Sequence, residues 1–457
     1  MKIADNSQWV EDQFSGCQLG DKRRTTRLQN VARNMLANPE QSLTAQNERW
    51  ADVKAAYRLF DCDDVTYDSI ASAHWENTRQ TKPGTYLLIS DTTDIDHFSH
   101  KATKGLGMLG SGVGRGLQQH SCLMFDSGRK QIVGQAGGTL HKRKRVLKNE
   151  TRKQRLERFR ESSLWGAVVD QVGSPPEGSQ WIHVFDAYGD NFEAMCHVAQ
   201  NHCDFVIRAA KFHRTVCDQQ GEAVALDDAL KDAEILGSYD LFIRSRQGVK
   251  SRTAKIEVSA TTVTFSAPRI CSSWVKQCGV ADIKVNAVVV SEVGAPKGVK
   301  PIRWVLLTTL PISSFEDAWK VIEHYEHRWL IEEYHKVLKT GCSLERHALR
   351  DASRLEPLIG LIGVIGTRLL QLKLLGRHDQ EAKARTHIPS GWLRAMKLAR
   401  PKIQLTGMTV YQFIRELAKM GGFLGRKSDG EPGWQTIWRG YRKLQSLLDA
   451  MKLTANT

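Results

Sequence analysis

The 457-residue chain is 41% hydrophobic and 25% charged, which suits a soluble globular protein of two or three domains and excludes a low-complexity or disordered one. Its longest uncharged apolar stretch, 357–367, falls short of the roughly 18 residues needed to span a bilayer. Sixty-five Lys and Arg against fifty Asp and Glu leave +15 at neutral pH. Such an excess points to a polyanionic partner, nucleic acid above all, with a basic surface kept for solubility as the plainer alternative.

The first residues carry acids and have no apolar core, so no signal peptide is expected and the chain is assigned to the cytoplasm, away from any membrane. Residues 1–75 read as short helices. A basic insert at 21–27 leads into Leu28, Val31, Ala32 and Met35 at helical spacing, which places Arg23, Arg24 and Arg27 near one another at a helix start. A second helix carries Arg58 between Tyr57 and Leu59. Arg on one face of a small helical domain suits DNA, although exposed Arg is also ordinary.

Strand character begins at Gly84. The apolar run 86–90 ends at Asp91, and further runs follow at 121–125 and 131–139. The string Gly105-Leu106-Gly107-Met108-Leu109-Gly110 matches the dinucleotide fingerprint GxGxxG but lacks a strand before it and a helix within it, so a flexible hairpin connection is expected. Between His141 and Arg160 lie ten Lys or Arg and two acids, the pattern of a solvated or disordered loop able to track phosphates. Then come a helix over 161–172, a strand over 181–185 ending at Asp186, a helix over 191–201 and a strand at 205–208 that ends on Arg208. Cys196, His197, His202 and Cys203 fall on a helix with a gap that does not bring all four to one face, which favours buried thiols over zinc. The nine cysteines hold no CxxC and read as reduced. Alternation over 255–265 and 283–290 marks 215–300 as a β-rich insertion, and everything after Ser314 reads as helix. Strands first, then alternating helix and strand, predict a multidomain α/β protein with a mixed sheet flanked by helices.

The chemistry concentrates in three places. Asp91 and Asp186 each end an apolar strand, where sites form in open α/β sheets. A helix starting near Ser314 carries Tyr325, Arg328, Glu332, His335 and Lys339 at spacings of three, four, three and four. On a uniform helix these fall within a stripe about 80° wide, with Leu330, Ile331, Tyr334, Val337 and Leu338 on a separate apolar face. An amphipathic helix with a salt-bridged side would show part of this pattern. Three carboxylates from separate elements suit a pair of Mg²⁺ ions, which take oxygen ligands and act on both oxygens of an in-line phosphoryl displacement. The cations on the same stripe would hold the phosphates.

Tyr325-x2-Arg328-x3-Glu332-x6-Lys339 resembles the Y-R-E-K signature of the DDE transposases of the insertion-sequence-four family. The surrounding run 327–336, then Lys339-Thr340-Gly341, strengthens the resemblance. So do Leu19-Gly20-Asp21 with Arg23-Arg24-Thr25, Asp91-Thr92-Thr93, Glu161-Ser162 with Trp165, Gly421-Gly422-Phe423, Trp434 and Leu444-Gln445-Ser446. It extends over nearly the whole chain. The resemblance implies an RNase H-like catalytic core at 76–375, interrupted by the β-rich insertion, between an end-binding helical domain at 1–75 and a helical synapsis and dimerisation domain at 376–457. It implies that Asp91, Asp186 and Glu332 are the catalytic, metal-binding triad for two Mg²⁺, with Mn²⁺ as a substitute. Tyr325, Arg328, Lys336 and Lys339 take the places of DNA-phosphate contacts, and Trp304 that of a residue stacking near the DNA end, with a buried strand Trp as the other reading. Arg23, Arg24, Arg27 and Arg58 would belong to end recognition, and the expected DNA contacts extend to Arg208 and His335. The implied activity is cut-and-paste transposition: cleavage at the transposon ends, a hairpin step, and joining of 3′ ends to target DNA by a homodimer in a synaptic complex. An inactive DNA-binding regulator descended from such an enzyme is the alternative. Two departures stand out. The second acid is followed by Ala187-Tyr188-Gly189-Asp190 where the family tends to read Arg-Glu, and Asp94 and Asp96 add carboxylates beside Asp91.

Overall fold

The computed structural model describes residues 5–110, 112–144, 149–245, 250–378, 380–426 and 429–455. Four helices lead: α1 (Asn6–Phe14), α2 (Lys22–Ala37), α3 (Trp50–Phe60) and α4 (Tyr67–Arg79). Asp5, Asp21 and Thr66 cap α1, α2 and α4 by accepting from backbone N–H groups of the first turn, and these polar residues are why the helices begin where they do. Next come β1 (Gly84–Asp96), β2 (Gly107–Leu109), β3 (Gly114–Asp126), β4 (Gln131–His141), α5 (Arg152–Glu157), α6 (Leu164–Val172), β5 (Ser179–Phe185), α7 (Phe192–Gln200) and β6 (Asp204–Arg208). The expected insertion consists of β7 (Thr215–Cys217), β8 (Ala223–Ala225), α8 (Leu226–Ala229), β9 (Glu234–Ile243), β10 (Arg252–Ser266), α9 (Ser273–Gln277) and β11 (Asp282–Val293). After β12 (Arg303–Thr308) the chain is helical: α10 (Phe315–Glu326), α11 (Trp329–Lys336), α12 (Ala352–His378), α13 (Ala384–His387), α14 (Ser390–Ala399), α15 (Val410–Met420) and α16 (Trp434–Ala455).

The strands form one mixed sheet in the order β2-β3-β1-β5-β6-β12-β11-β10-β7-β8, with β4 on β3 and β9 on β10. β1, β5 and β6 run parallel, while β3 and β12 flank them antiparallel. Side chains alternate across the sheet, so Leu87, Ile89, Ile182, Val184, Val206 and Leu306 enter one core. Tyr86, Leu88, Trp181, Phe185, Phe205 and Leu307 enter the other. Burial on both faces explains why β5 and β6 read in sequence as near-continuous apolar runs. The first face is covered by α1–α4 together with α10–α12 and α14–α16, and the second by α6, α7 and the insertion. The divisions expected at residues 75 and 375 fall inside α4 and α12, and helices from both chain ends share one apolar core.

One expectation about the apolar helix changes. Residues 352–375 of α12 are long and apolar enough to cross a membrane, although the uncharged run 357–367 is not, and 94% of the apolar window is buried inside the protein. The three-residue glycine spacing explains that burial. A Cβ at Gly360 would stand 2.9 Å from the Tyr67 backbone oxygen, and one at Gly366 would stand 2.4 Å from Leu338. Only glycine lets α4 and the chain after α11 approach so closely. The supposed dinucleotide motif supplies β2, which pairs antiparallel with β3 and opens no helix.

A carboxylate cluster at the parallel strand exits

Parallel pairing of β1 with β5 ends at Ile89 opposite Val184, and the next step of each chain brings Asp91 and Asp186 to the same level. β1 does not stop there. It continues to Asp96 against β3, so Asp91 marks the point where β1 leaves β5 rather than a strand end. Asp186 follows β5 directly and caps a single 3₁₀ turn, accepting from the Tyr188 N–H at 2.9 Å. The turn is tight: a Cβ at Gly189 would stand 2.5 Å from the Phe185 Cβ.

The helix after Ser314 is not uniform. α10 ends at Glu326, the His327 ring takes the Glu323 carbonyl at 2.6 Å, and the chain tightens through Arg328 N–H to Tyr325 O (2.9 Å) and Leu330 N–H to His327 O (2.9 Å). These bonds span three residues, so Tyr325 and Arg328 stack one above the other. Past Lys336 the helix widens to a π turn over Val337–Gly341, closed by Cys342 N–H to Val337 O. Lys339 lies in that turn, where its ammonium stands 3.5 Å from Glu345. A stripe drawn at 100° per residue holds for neither segment.

The two changes of pitch decide which stripe residues reach the acids. Arg328 stands 3.6 Å from Asp91 and donates to Glu332 in close contact. Asp91 is shifted up to about 6, first by burial and then by the nearby Asp186 charge, with Glu332 adding to the rise and Arg328 opposing it. Asp186 is also raised, chiefly by burial, against the pull of the Tyr188 N–H, Arg328 and Arg208. Arg208 ends β6 one residue past the Phe185–Ile207 pair, beside Asp186, and its charge also reaches the Tyr325 hydroxyl. Asp91, Asp186, Glu332, Tyr325, Arg328 and Arg208 therefore converge. Of the two extra acids, Asp94 accepts from Gln118 at 3.0 Å and Asp96 from the Phe98 N–H at 2.8 Å, so each is engaged elsewhere.

Other expected contacts sort by exposure. Lys336 is exposed, and Lys339 and Trp304 are half-buried, with Trp304 edge-on to Tyr325 at 5.7 Å. Tyr325 itself is only 6% exposed. His335 departs from the expectation of a DNA contact. It is buried, and burial beside Lys339 and Arg328 drives its ring down to about 3, so it is a neutral core imidazole rather than a cation facing phosphate. In the N-terminal helices Arg27 and Arg58 are exposed, Arg23 is exposed but paired with Asp21, and Arg24 is spent on the Leu19 carbonyl and Asp64. The basic run is less free than a solvated loop. β4 takes in His141, α5 forms over Arg152–Glu157, and Lys142, Arg143, Arg158 and Arg160 pair with Glu356, Glu161, Glu150 and Glu193. Residues 145–148 of that run lie outside the described residues. His197 stacks on Trp274 at 3.5 Å and pairs with Asp170 at 2.8 Å, while Cys196 and Cys203 are buried, the environment of structural side chains.

Sequence reasoning passed over several supporting residues. Thr92, the residue after Asp91, bonds the buried His120 ring at 2.7 Å, and Gln118 joins Asp94 to Glu161. Asp190 is buried and accepts from the N–H groups of Ala210 and Lys211 at 2.7 and 3.0 Å while pairing with Arg214. No spacing rule signals these contacts, because most join segments that are distant in sequence and meet only in the fold.

Hard carboxylate oxygens of the kind gathered here suit divalent cations, and the repulsion that adds to burial in raising Asp91 is the charge such an ion would neutralise. Among the described residues no three such side chains already stand close enough to enclose one ion. Arg328 supplies the countercharge between Asp91 and Glu332 in this arrangement.

Comparison with known families agrees at both ends of the chain. Residues 6–65 match the transposase DNA-binding family model, and residues 364–456 match that of the Tn5 transposase dimerisation domain. Together the two matches support a Tn5-like transposase, with DNA as its partner and a homodimer as its assembly.

Proposed function

We propose that the protein is a DDE transposase of the insertion-sequence-four family, with an RNase H-like core, that cuts its element out of double-stranded DNA and joins it to target DNA. The observation that carries this reading is the convergence of Asp91, Asp186 and Glu332 around Arg328 at the exits of two adjacent parallel strands. The family matches at both ends supply the DNA-binding and dimer-forming context.

Asp91, Asp186 and Glu332 would hold the divalent cations, Mg²⁺ in the cell and Mn²⁺ as substitute. When bound, two such ions supply an activated water and neutralise charge at the reacting phosphate. Arg328, which bridges two of these acids, carries a fork of donors that would suit a backbone phosphate. Lys336, Lys339 and Arg208 carry further positive charge along the scissile strand. Trp304, with the buried Tyr325 edge-on behind it, would set the wall on which the end of the duplex rests. Strand cleavage by water frees a 3′ hydroxyl. Attack by that hydroxyl on a phosphodiester of the opposite strand breaks its bond to the 3′ oxygen of the flanking DNA and gives a hairpin. Water reopens the hairpin, and the freed 3′ hydroxyls then attack target phosphodiesters, each displacing a target 3′ oxygen. Arg27 and Arg58 belong to end binding, and α14–α16 to the contact between copies.

Incubating a plasmid that carries the gene and its native flanking DNA with purified protein and Mg²⁺ tests this. A linear excised fragment from wild type and none from Glu332→Gln is the expected result. Bound but uncut DNA in both samples would overturn catalysis and favour a DNA-binding regulator.

A further inference from the structure

Asp190 is buried, its carboxylate fully covered, yet it faces none of the three acids. Its oxygens accept two consecutive backbone N–H groups, Ala210 at 2.7 Å and Lys211 at 3.0 Å, and close an ion pair with Arg214. Arg214 in turn lies over the Phe265 ring of β10 at 4.8 Å. The segment so held follows Arg208 directly. Arg208 is itself fixed on one side by pairing with Leu306 and lies level with Asp186 on the other. The turn Asp186-Ala187-Tyr188-Gly189-Asp190 thus has an acid at each end, one facing the site and one gripping the chain that leaves it.

We infer that Asp190 is a positioning residue: by binding the Ala210 and Lys211 amides and Arg214 it locks the exit of β6 to the turn of Asp186, so that Arg208 is held where a DNA phosphate meets the cluster. The inference rests on the transposase reading, since that reading is what gives Arg208 a phosphate to meet. A carboxylate with three donors in a dry setting fixes geometry more stiffly than loop packing does, because each lost bond leaves a buried partner unsatisfied. Arg208 has one side chain but several rotamers, and a small drift of its backbone is enough to lose a bidentate phosphate contact.

The test is a double-substitution cycle on the plasmid described above, with cleavage rate at saturating protein, plasmid affinity and thermal midpoint measured separately. Asp190→Asn is expected to slow cleavage about tenfold or more while plasmid affinity stays within about twofold. Arg208→Ala is expected to cost a similar factor, and adding Asp190→Asn to it should cost less than about twofold more, since the residue that Asp190 positions is then gone. Factors that multiply instead would overturn the inference, because Asp190 would then act only on the fold or through another group. Should Asp190→Asn fail to fold, the same cycle is run with Arg214→Gln, with the same two readings. Absence of cleavage by wild type would overturn the transposase reading itself, whereas cleavage by wild type with multiplying factors overturns only the role of Asp190.

Discussion

The two faces of the central sheet are built from different materials. One face is covered by α6, α7 and the insertion and is packed by Trp181, Phe185, Phe205, Met195 and Val285, with Cys122 and Cys196 among them. The other is covered by helices from both chain ends, and charge is buried within it: Glu333 pairs with Lys373, and Arg368 lies over the Trp9 ring at 5.6 Å. The cluster of acids sits between them, where the interior strands β1 and β5 part. Asp91 and Asp186 come from the strands, whereas Glu332 and Arg328 come from a helix of the charged side. Apolar side chains make up most of the face under α6 and α7, which also holds the Asp190–Arg214 pair over Phe265. The charged face ties residue 333, next to Glu332, to a helix that continues into the matched dimerisation region. The second arrangement specifies register, at a cost in desolvation that apolar packing does not carry.

The largest expected effect lies in the cluster. Glu332→Gln removes one charge from three and is expected to lower cleavage by at least about a thousandfold, as should chelation of divalent cations by EDTA in the wild type. End binding, measured by gel shift, is expected to remain in both cases. Loss of binding together with cleavage would place Glu332 in DNA contact instead.

Next come substitutions that separate the two faces. Phe205→Ala is expected to cost about 3–5 kcal/mol, the range for emptying a buried aromatic site, and no second polar change should recover it. Lys373→Met is expected to cost about 3–5 kcal/mol because Glu333 is left charged and unpaired, and Glu333→Gln in the same chain should recover most of that. Denaturant unfolding checks both. Equal costs for the single and double changes would remove the distinction drawn between the faces.

Asp91 offers a smaller effect with a definite sign. Its folded value of about 6 lies above the unfolded 3.8, so between these values the folded state binds more protons. Stability from this group is therefore gained as pH falls from about 6 toward 4 and lost as pH rises through 6. At pH 7 without metal the charged group costs about 3 kcal/mol at most, and Asp91→Asn should regain part of it while abolishing cleavage. The gain, read as a higher thermal midpoint in EDTA, should vanish near pH 4. A gain that persists there would mean that burial, not charge, sets the cost.

Much of this was legible in the sequence, for identifiable reasons. The strand runs, the insertion and the glycine-spaced helix α12 announce themselves through local period, which backbone geometry imposes directly. Asp91 and Asp186 follow apolar runs, so their level could be guessed before the register was known. His335 could not be placed, because a side-chain bond from His327 and a π turn alter the pitch on both sides of α11. Asp190, Thr92 and Gln118 were equally hidden, since their partners lie far along the chain: the segment after β6 for Asp190, β3 for Thr92, and β1 and the turn at Glu161 for Gln118. Pairing of charges masked the character of the basic run as well: composition counts ten cations and two acids but not the three acids outside the run, Glu161, Glu193 and Glu356, that meet them.

The smallest expected effect tests the reading of the N-terminal helices. Arg27 and Arg58 are exposed, whereas Arg24 is engaged with the Leu19 carbonyl and Asp64. Arg27→Ala is therefore expected to change unfolding stability by less than about 0.5 kcal/mol, as for surface substitutions in general. Its effect should appear in the salt dependence of end binding, where losing one phosphate contact lowers the slope of log K against log salt by about 1. Arg24→Ala should do the reverse: it frees Asp64 and loosens the link between α2 and the α3–α4 turn, with a small loss of stability because Asp64 is largely exposed. If instead Arg24→Ala lowers the salt slope and leaves stability unchanged, its pairing with Asp64 gives way to phosphate on binding. The basic insert would then act as one unit, with Asp64 holding Arg24 only until DNA arrives.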